Sequence, residues 1–162
     1  MNFEIIYASR EYHDAIKNLM QLYMHDFSEY VEQDVEEDGL YKPYPGLEDY
    51  WNQDTGKFPY IIKKENKYAG FILVKRNVSV TDSFSIAEFF ILKKYRKAGI
   101  GRAAAKQIFD LYKGNWEVHQ RENNLAARSF WEKVIHEYTS GQFSQRLENG
   151  RTIQHFRNNF QL

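Results

Sequence analysis

The chain has 162 residues, a length typical of one domain with its own hydrophobic core. Its 22 Lys and Arg residues balance 22 Asp and Glu residues, so neither nucleic acid nor a membrane surface is expected as a partner. The absence of cysteine excludes disulfides, thiolate nucleophiles and cysteine-ligated metals. Because the first residues lack a signal-peptide pattern and no apolar run approaches about 20 residues, we expect a soluble, cytoplasmic protein.

The first third of the chain predicts a strand, a helix and an irregular segment. Residues 3–8 alternate as a strand would, and Ser9 is the predicted N-cap of the helix. The apolar face of that helix consists of Ile16, Leu19, Met20, Tyr23 and Phe27. Residues 26–38 then hold seven acidic side chains and no basic one, and the glycines and prolines that follow predict an aromatic-rich loop. Residues 47–52 predict one or two further helical turns.

The remaining two thirds predict mostly strands, with two helices between them. Residues 57–64 and 68–75 predict an antiparallel hairpin, and residues 81–83 predict a turn before a strand at residues 86–92. A helix beginning at the glycines near position 100, a strand at residues 115–120 and a helix at residues 125–134 come next. Residues 136–146 and 151–158 predict a terminal hairpin, because Asn149-Gly150 between them is a strong turn signal.

Residues 85–112 carry the strongest functional signal. A largely apolar strand leads into a loop with Gly99 and Gly101, where the missing Cβ lets the backbone approach a ligand. Since a helix begins within this loop, its free N–H groups and the positive end of its dipole point out of the loop. Five basic side chains surround it: Lys93, Lys94, Arg96, Lys97 and Arg102. The pattern predicts a site for a phosphate-bearing anion.

The loop can be compared with the phosphate-binding motifs of several folds. Residues 99–104 fit the dinucleotide fingerprint G-x-G-x-x-[GA], which makes a dinucleotide-binding oxidoreductase one alternative. Its context is unfavourable, because residues 93–98 separate the strand from Gly99 and only 61 residues (102–162) follow Gly101. No G-x-x-x-x-G-K-[ST] sequence occurs, so a Walker loop is excluded. The glycines could also form only a tight turn, but the five basic residues favour a binding site.

Two motifs resemble one known family. Residues 95–102 (YRKAGIGR) are similar to the [QR]-x-x-G-x-[GA] signature of the GNAT superfamily of N-acetyltransferases, and the chain looks like its uncharacterised predicted members. Residues 124–127 (NLAA) and 130–133 (FWEK) are similar to the N-x-x-A…[LF]-Y-x-K helix of that family. The resemblance implies a single α/β (α+β) domain over residues 1–162. It also implies a mixed, mostly antiparallel sheet of six to seven strands flanked by about four helices.

The resemblance further implies a reaction and a cofactor site. Acetyl-CoA would donate an acetyl group to a primary amine by direct attack in a ternary complex. The implied pyrophosphate-binding residues are Arg96, Lys97, Ala98, Gly99, Ile100, Gly101 and Arg102. Ile91, Leu92 and Lys93 would offer main-chain partners to the pantetheine arm where the fourth and fifth strands splay apart, and an N–H near Ile91 or Leu92 would face the thioester oxygen. Asn124 would bond the arm from the other side, with Ala127 and Phe130 beside it, Phe130 at the thiol end.

Glu88 is the predicted general base, acting directly or through water. It is the only carboxylate in residues 86–92, and a charge within such a strand is costly. The alternative is a Glu on a sheet face that pairs with a neighbouring Lys or Tyr. His119, at the end of a predicted strand, is a second candidate base. The other histidines show no ligand spacing, so no metal site is predicted.

Trp131 marks a departure from the family pattern. Many members carry a Tyr at this position, which protonates the leaving CoA thiolate. Here Tyr95, Tyr138 or water could serve instead, or the thiolate could leave unassisted, and Trp131 itself is predicted to be a core residue. The missing Tyr also leaves open a relative that binds CoA without transferase activity.

The acidic and aromatic segment at residues 26–51 is predicted to border the acceptor site. Its carboxylates and its aromatic residues, Tyr30, Tyr41, Tyr44 and Trp51, suit a cationic acceptor. The candidates are a small amine, a polyamine-like or aminoglycoside-like compound, or a Lys or N-terminal amine of a peptide. The alternative is a solvated acidic loop. Both a monomer and a homodimer are compatible with the sequence.

Overall fold

Seven strands form one sheet in a computed structural model that describes residues 2–77, 79 and 82–158. The strands are β1 Phe3–Tyr7, β2 Lys57–Lys64, β3 Lys67–Arg76, β4 Ser83–Ile91, β5 Asn115–Arg121, β6 Ser144–Glu148 and β7 Arg151–Arg157. Their order is β1-β2-β3-β4-β5-β7-β6, and only the β4–β5 pair is parallel. The predicted mixed, mostly antiparallel sheet is confirmed.

Within the described residues, three α-helices flank the sheet: α1 His13–Phe27, α2 Ile100–Leu111 and α3 Leu125–Thr139. The fourth predicted helical segment is the 3-10 helix Leu47–Trp51, which starts after Gly46 in the left-handed region and ends at the extended backbone of Asn52. Ser9 precedes a 3-10 turn rather than α1. Its hydroxyl donates to Glu11 at 3.2 Å and caps no backbone N–H. No helix in the described part of the chain is long and apolar enough to cross a bilayer.

The prediction of a strand at residues 136–146 was wrong for residues 136–143. These residues begin as the last turn of α3, because Ile135 and Thr139 continue its buried face beyond Val134. The helix ends where Ser140 and Gly141 adopt positive φ angles of 53° and 82°, and β6 begins only at Ser144. Of the predicted turn at residues 81–83, residue 81 lies outside the described residues.

The core has two layers, one on each face of the sheet. On one face α1 packs through Ile16 and Met20 against Ile61, Phe71 and Leu73. On the other face α2 and α3 cover an aromatic cluster that includes Phe109, Trp116, Trp131 and Phe156. Alternate residues of β2 and β3 belong to the two layers, as the period of a strand requires.

The middle of the sheet opens between its two parallel strands. Pairing joins only Ser83–Ser85 of β4 to Asn115–Glu117 of β5, and beyond them the strands separate. On its other edge β4 carries a bulge, since Leu73 lies opposite Glu88 while Val74 lies opposite Ile86. The extra residue, Ala87, packs in the α1 layer, and Glu88 contacts α1 as well. The second half of β4 is therefore exposed on one edge and carries a carboxylate on its α1 face.

Candidate functional site

A cleft of about 920 Å³ lies where β4 and β5 separate. Its walls are the end of α1 with the segment after it, the end of β4, the first turn of α2 and one face of α3. Among the predicted cofactor-binding residues, those lining the cleft are Ile91, Lys93, Arg96, Lys97, Gly99, Gly101, Arg102, Asn124, Ala127 and Phe130. Leu92, Ala98 and Ile100 do not line it, and neither does Glu88. The fold thus brings most of the predicted residues together around one cavity.

The N-terminus of α2 presents unsatisfied N–H groups to this cleft. Gly99 is the N-cap, with a φ of 83° that favours glycine, and no side chain caps the helix. The first helical bond runs from the Ala103 N–H to the Gly99 carbonyl at 3.1 Å, so the N–H groups of residues 100–102 have no acceptor within the helix. Lys97 also has a positive φ, 64°. These N–H groups and the helix dipole favour an anion.

Three elements converge at Gly101. A Cβ on this residue would lie 3.4 Å from Cζ of Phe130 on α3 and 3.6 Å from Cγ1 of Ile91 on β4. The absence of a side chain at Gly101 therefore lets α2 approach the ends of β4 and α3 closely.

Most cations around the loop are already paired with carboxylates. Arg96 donates from Nε to the Ile91 carbonyl at 2.7 Å and from Nη2 to Asp26, and Lys93 Nζ lies 3.7 Å from Asp26. Arg102 lies 3.3 Å from Glu137 of α3. Among the residues that the structure describes, Lys97 and Lys133 line the cleft without a salt bridge. These two lysines are the most accessible partners for a phosphate, whereas Arg96 links α1 to β4.

The hydrogen bonds of β4 distinguish between Ile91 and Leu92. The Leu92 N–H donates to the Ala69 carbonyl at 2.8 Å. Since backbone groups alternate in direction along an antiparallel strand, those of Ile91 point away from β3. The bond from Arg96 to the Ile91 carbonyl agrees with that direction. Of the two, Ile91 is the residue whose N–H faces the side where β5 has separated.

The start of α3 forms the opposite wall. Asn124 is its N-cap, and Oδ1 accepts the Ala127 N–H at 3.0 Å. Its Nδ2 donates to none of the described residues, and Asn124 lines the cleft. Trp131 is 6% exposed and packs edge-on against Phe89 at 5.0 Å. Trp131 thus belongs to the core, as predicted.

The two tyrosines that were candidates for protonating the CoA thiolate do not line the cleft. Tyr138 donates to Asp110 at 2.8 Å and, like Tyr95, does not line the cleft. His119, the second candidate base, lies 3.3 Å from Glu117 and is likewise not a lining residue. The tyrosines that do line the cleft are Tyr23 and Tyr30.

Glu88 is held by two tyrosine hydroxyls. Tyr23 of α1 donates to Oε2 at 2.5 Å, and Tyr44 donates to Oε1 at 3.0 Å. Burial raises the pKa of Glu88, and the two hydroxyl donors oppose that rise. Burial and the neighbouring carboxylate raise the pKa of both Tyr23 and Tyr44, so both stay protonated. Glu88 therefore pairs with tyrosines, as expected for a Glu on a sheet face, and it also has the raised pKa that suits a general base.

Sequence reasoning missed the roles of Tyr23 and Asp26. Tyr23 was assigned only to the buried face of α1, although a hydroxyl on such a face needs a partner. Asp26 was counted only within the acidic segment. The available signal was their spacing, because positions three apart share one face of a helix. Both lie at the end of α1 that lines the cleft.

The acidic segment borders the cleft in part. Asp26, Glu29 and Tyr30 line it, and the Asn123 amide donates to the Tyr30 carbonyl at 3.0 Å. Residues 28–35 and Tyr41 surround an adjoining hollow of about 690 Å³. Trp51 is not part of this rim, since its indole N–H donates to the Ala8 carbonyl at 2.9 Å. No group of three or more potential metal ligands occurs among the described residues.

Several solved acetyltransferases share this fold along nearly their whole length. Spermidine N-acetyltransferase from Vibrio cholerae, in complex with CoA and spermine, is 15% identical with a TM-score of 0.63, covering 96% of this chain and 95% of that one. PaiA N-acetyltransferase from Thermoplasma acidophilum, in complex with coenzyme A, is 12% identical with a TM-score of 0.66, covering 97% and 99%. Ribosomal-protein-S18-alanine N-acetyltransferase from Escherichia coli is 14% identical with a TM-score of 0.64, covering 99% of both chains.

The sequence itself identifies the family. Residues 16–136 match the Acetyltransferase (GNAT) family, and the chain belongs to that family. A search of curated protein sequences found no match. The matched residues include most of α1, all of β4 with the glycine loop, and most of α3, which together form the walls of the cleft.

Proposed function

We propose that this protein transfers an acetyl group from acetyl-CoA to a primary amine by direct attack in a ternary complex. The observation that carries the proposal is the cleft, where the free N–H groups of α2 meet the unpaired end of β4. Membership of the GNAT family supports the reaction class. Two neighbours in structure were solved with CoA, which supports the choice of co-substrate.

The residues of the cleft fit coenzyme A. The N–H groups of Gly101 and Arg102 and the amine of Lys97 would bind the pyrophosphate. The cleft would admit the pantetheine arm, which the Ile91 backbone and the Asn124 amide would hold from opposite sides. When bound, acetyl-CoA supplies the thioester carbon that the amine attacks. Arg96 would keep the Ile91 peptide in place through its bond to the carbonyl.

The protein must also remove a proton from the amine. In water most primary amines are ammonium ions at neutral pH and cannot attack. Glu88 is the base that would take this proton, since burial makes its carboxylate a stronger proton acceptor. As the N–C bond forms, the C–S bond breaks and CoA leaves as a thiolate, and the second proton that the nitrogen loses can reach this thiolate through water. No tyrosine corresponding to that of other family members is needed for this step.

The acceptor is proposed to be cationic. Glu29 lines the cleft and also borders the adjoining hollow with Glu32 and Asp34. Carboxylates in these positions attract an ammonium and disfavour an anionic acceptor. The structural neighbour from Vibrio cholerae was solved with spermine, a polyamine, which supports an amine of this class.

Two experiments test the proposal. Calorimetry with acetyl-CoA, CoA and NADH should show binding of the first two, because the loop is proposed to hold the CoA pyrophosphate. A library of primary amines should then include acceptors that accelerate CoA release. Binding of CoA without any amine-dependent release would favour the alternative of a relative that only binds CoA, whereas preferential binding of NADH would favour the oxidoreductase alternative.

A further inference from the structure

We propose that the Tyr23 hydroxyl is the group that contacts the acceptor ammonium and relays its proton to Glu88. This inference rests on the proposed function and assigns a catalytic residue to it. Tyr23 lines the cleft, while Glu88 does not. The Tyr23 hydroxyl donates to Glu88 at 2.5 Å and so connects the cleft with the carboxylate.

The surroundings of Tyr23 hold its hydroxyl in that position. Its ring contacts Phe27 at 5.8 Å, Phe71 at 5.8 Å in a T-shaped arrangement, and Phe90 at 5.5 Å. These rings come from α1, β3 and β4, so three elements fix one side chain. Rotation of Tyr23 away from Glu88 would cost both the packing and the hydrogen bond.

The proposed transfer moves two protons in one step. The ammonium donates an N–H proton to the Tyr23 oxygen as the Tyr23 O–H proton passes to Oε2 of Glu88. The amine becomes neutral, Glu88 becomes a carboxylic acid and Tyr23 ends as it began. Because no tyrosinate forms, the raised pKa of Tyr23 does not oppose the relay. A hydroxyl oxygen can accept one hydrogen bond while it donates another, as this step requires.

Tyr44 provides a matched comparison. It also donates a hydroxyl hydrogen bond to Glu88, at 3.0 Å, but it does not line the cleft. Tyr23→Phe and Tyr44→Phe therefore each remove one donor from the same carboxylate. Only the first changes a residue that lines the cleft.

The experiment measures kcat and acceptor KM for the wild type and both variants on the plateau of the pH profile. We expect Tyr23→Phe to lower kcat about 100-fold with an ammonium acceptor, a typical contribution of acid–base catalysis. The acceptor KM should change little, and the Tyr44→Phe loss should be at least tenfold smaller (about 1.4 kcal/mol in barrier height). The second acceptor is a fluorinated analogue whose amine is neutral at the assay pH. With this analogue the kcat of Tyr23→Phe should approach the kcat of the wild type measured with the same analogue.

Each outcome decides a separate point. Equal losses in the two variants, or a Tyr23→Phe loss that persists with the neutral amine, would show a structural role and overturn the relay while leaving the proposed function intact. A wild-type protein that acetylates no amine would overturn the proposed function and the relay with it. Thermal unfolding of both variants accompanies the kinetics, and a Tyr23→Phe loss explained by unfolding would not recover with the neutral amine.

Discussion

At the scale of single residues, the site depends on a carboxylate that the fold partly removes from water. Glu88 lies on β4 at a bulge, in the layer covered by α1. Its two tyrosine donors compensate part of the cost of burying the charge. Because burial still dominates, the pKa of Glu88 is raised, which suits a group that must accept a proton.

Glu88→Gln should abolish most activity without destabilising the fold at neutral pH. We expect kcat to fall by about 100-fold or more, since the base is lost, while CoA affinity stays unchanged. A Gln side chain can keep a hydrogen bond with each tyrosine and carries no charge to bury. Steady-state kinetics and CoA calorimetry on the same preparation measure both effects. Unaltered turnover, with an unaltered acidic limb of the pH profile, would remove Glu88 from the mechanism.

We also expect the stability difference between Glu88→Gln and the wild type to depend on pH. A raised pKa means that the native state binds more protons at Glu88 than the unfolded state does, between the ordinary value of 4.5 and the raised value. The stability contributed by this group is therefore present below 4.5 and lost as pH rises through the raised pKa. Urea unfolding at pH about 4 and about 7 should show Glu88→Gln gaining stability relative to wild type at the higher pH. A relative loss at the higher pH would contradict the raised pKa.

At the scale of elements, two glycines in one turn have different tasks. Gly99 has a φ of 83° at the N-cap of α2, whereas Gly101 lies inside the helix without a positive φ. Gly99→Ala should cost about 1 kcal/mol because alanine is strained in the left-handed region. Gly101→Ala should cost nothing, since helix propensity favours alanine and the added Cβ makes ordinary contacts at 3.4 and 3.6 Å.

Urea unfolding of the two glycine variants measures this contrast. Equal stability changes in both would mean that the conformation of Gly99 is not strained for other residues. The comparison is matched, because the two variants add the same methyl group two positions apart.

The start of α3 combines a cap with a proposed ligand contact in one side chain. Asn124→Ala should lower stability by about 1 kcal/mol, because Oδ1 no longer accepts the Ala127 N–H. Asn124→Ser should keep the cap through its hydroxyl, but it lacks the amide proposed to reach the pantetheine arm. We expect CoA affinity to fall about fivefold in both variants, as for one hydrogen bond of ~1 kcal/mol. If Asn124→Ser bound CoA as the wild type does, Asn124 would have a capping role alone.

At the scale of the whole molecule, the neutral net charge conceals a separation of charge within the site. The loop before α2 is basic, while the segment after α1 supplies carboxylates to the same cleft and its adjoining hollow. The proposed anionic co-substrate and cationic acceptor would thus meet complementary ends of one cavity. Arg96 and Asp26 join these two regions through their ion pair.

Neutralising the carboxylates that border the cavities should weaken binding of a polycationic acceptor. Glu29→Gln, Glu32→Gln and Asp34→Asn together should raise its KM about tenfold, or ~0.5 kcal/mol for each screened charge. The matched control neutralises Glu36, Glu37 and Asp38, which line neither cavity. An equal KM in the two triple variants would mean that the segment is only a solvated loop.

Local sequence patterns predicted most of the strands, the glycine loop and the main helices, because each depends on residues close together in the chain, whereas the arrangement of the sheet was expected from the family resemblance. The contacts that complete the site join distant positions. Tyr23 and Glu88 are 65 residues apart, and Asp26 and Arg96 are 70 apart. Neither pairing follows from the periodicity of a helix or strand. The motif identifies Arg96 only as a basic residue, so it could not predict the ion pair between Arg96 and Asp26.

The most direct test of the proposed function follows the acetyl group itself. The protein is incubated with acetyl-CoA labelled in the acetyl carbonyl and with a mixture of cationic primary amines, and all species are analysed by mass spectrometry. We expect the label on an amine nitrogen, one free CoA for each acetylated amine, and no label retained by the protein. Binding of acetyl-CoA without amine-dependent transfer of the label would contradict the function proposed here.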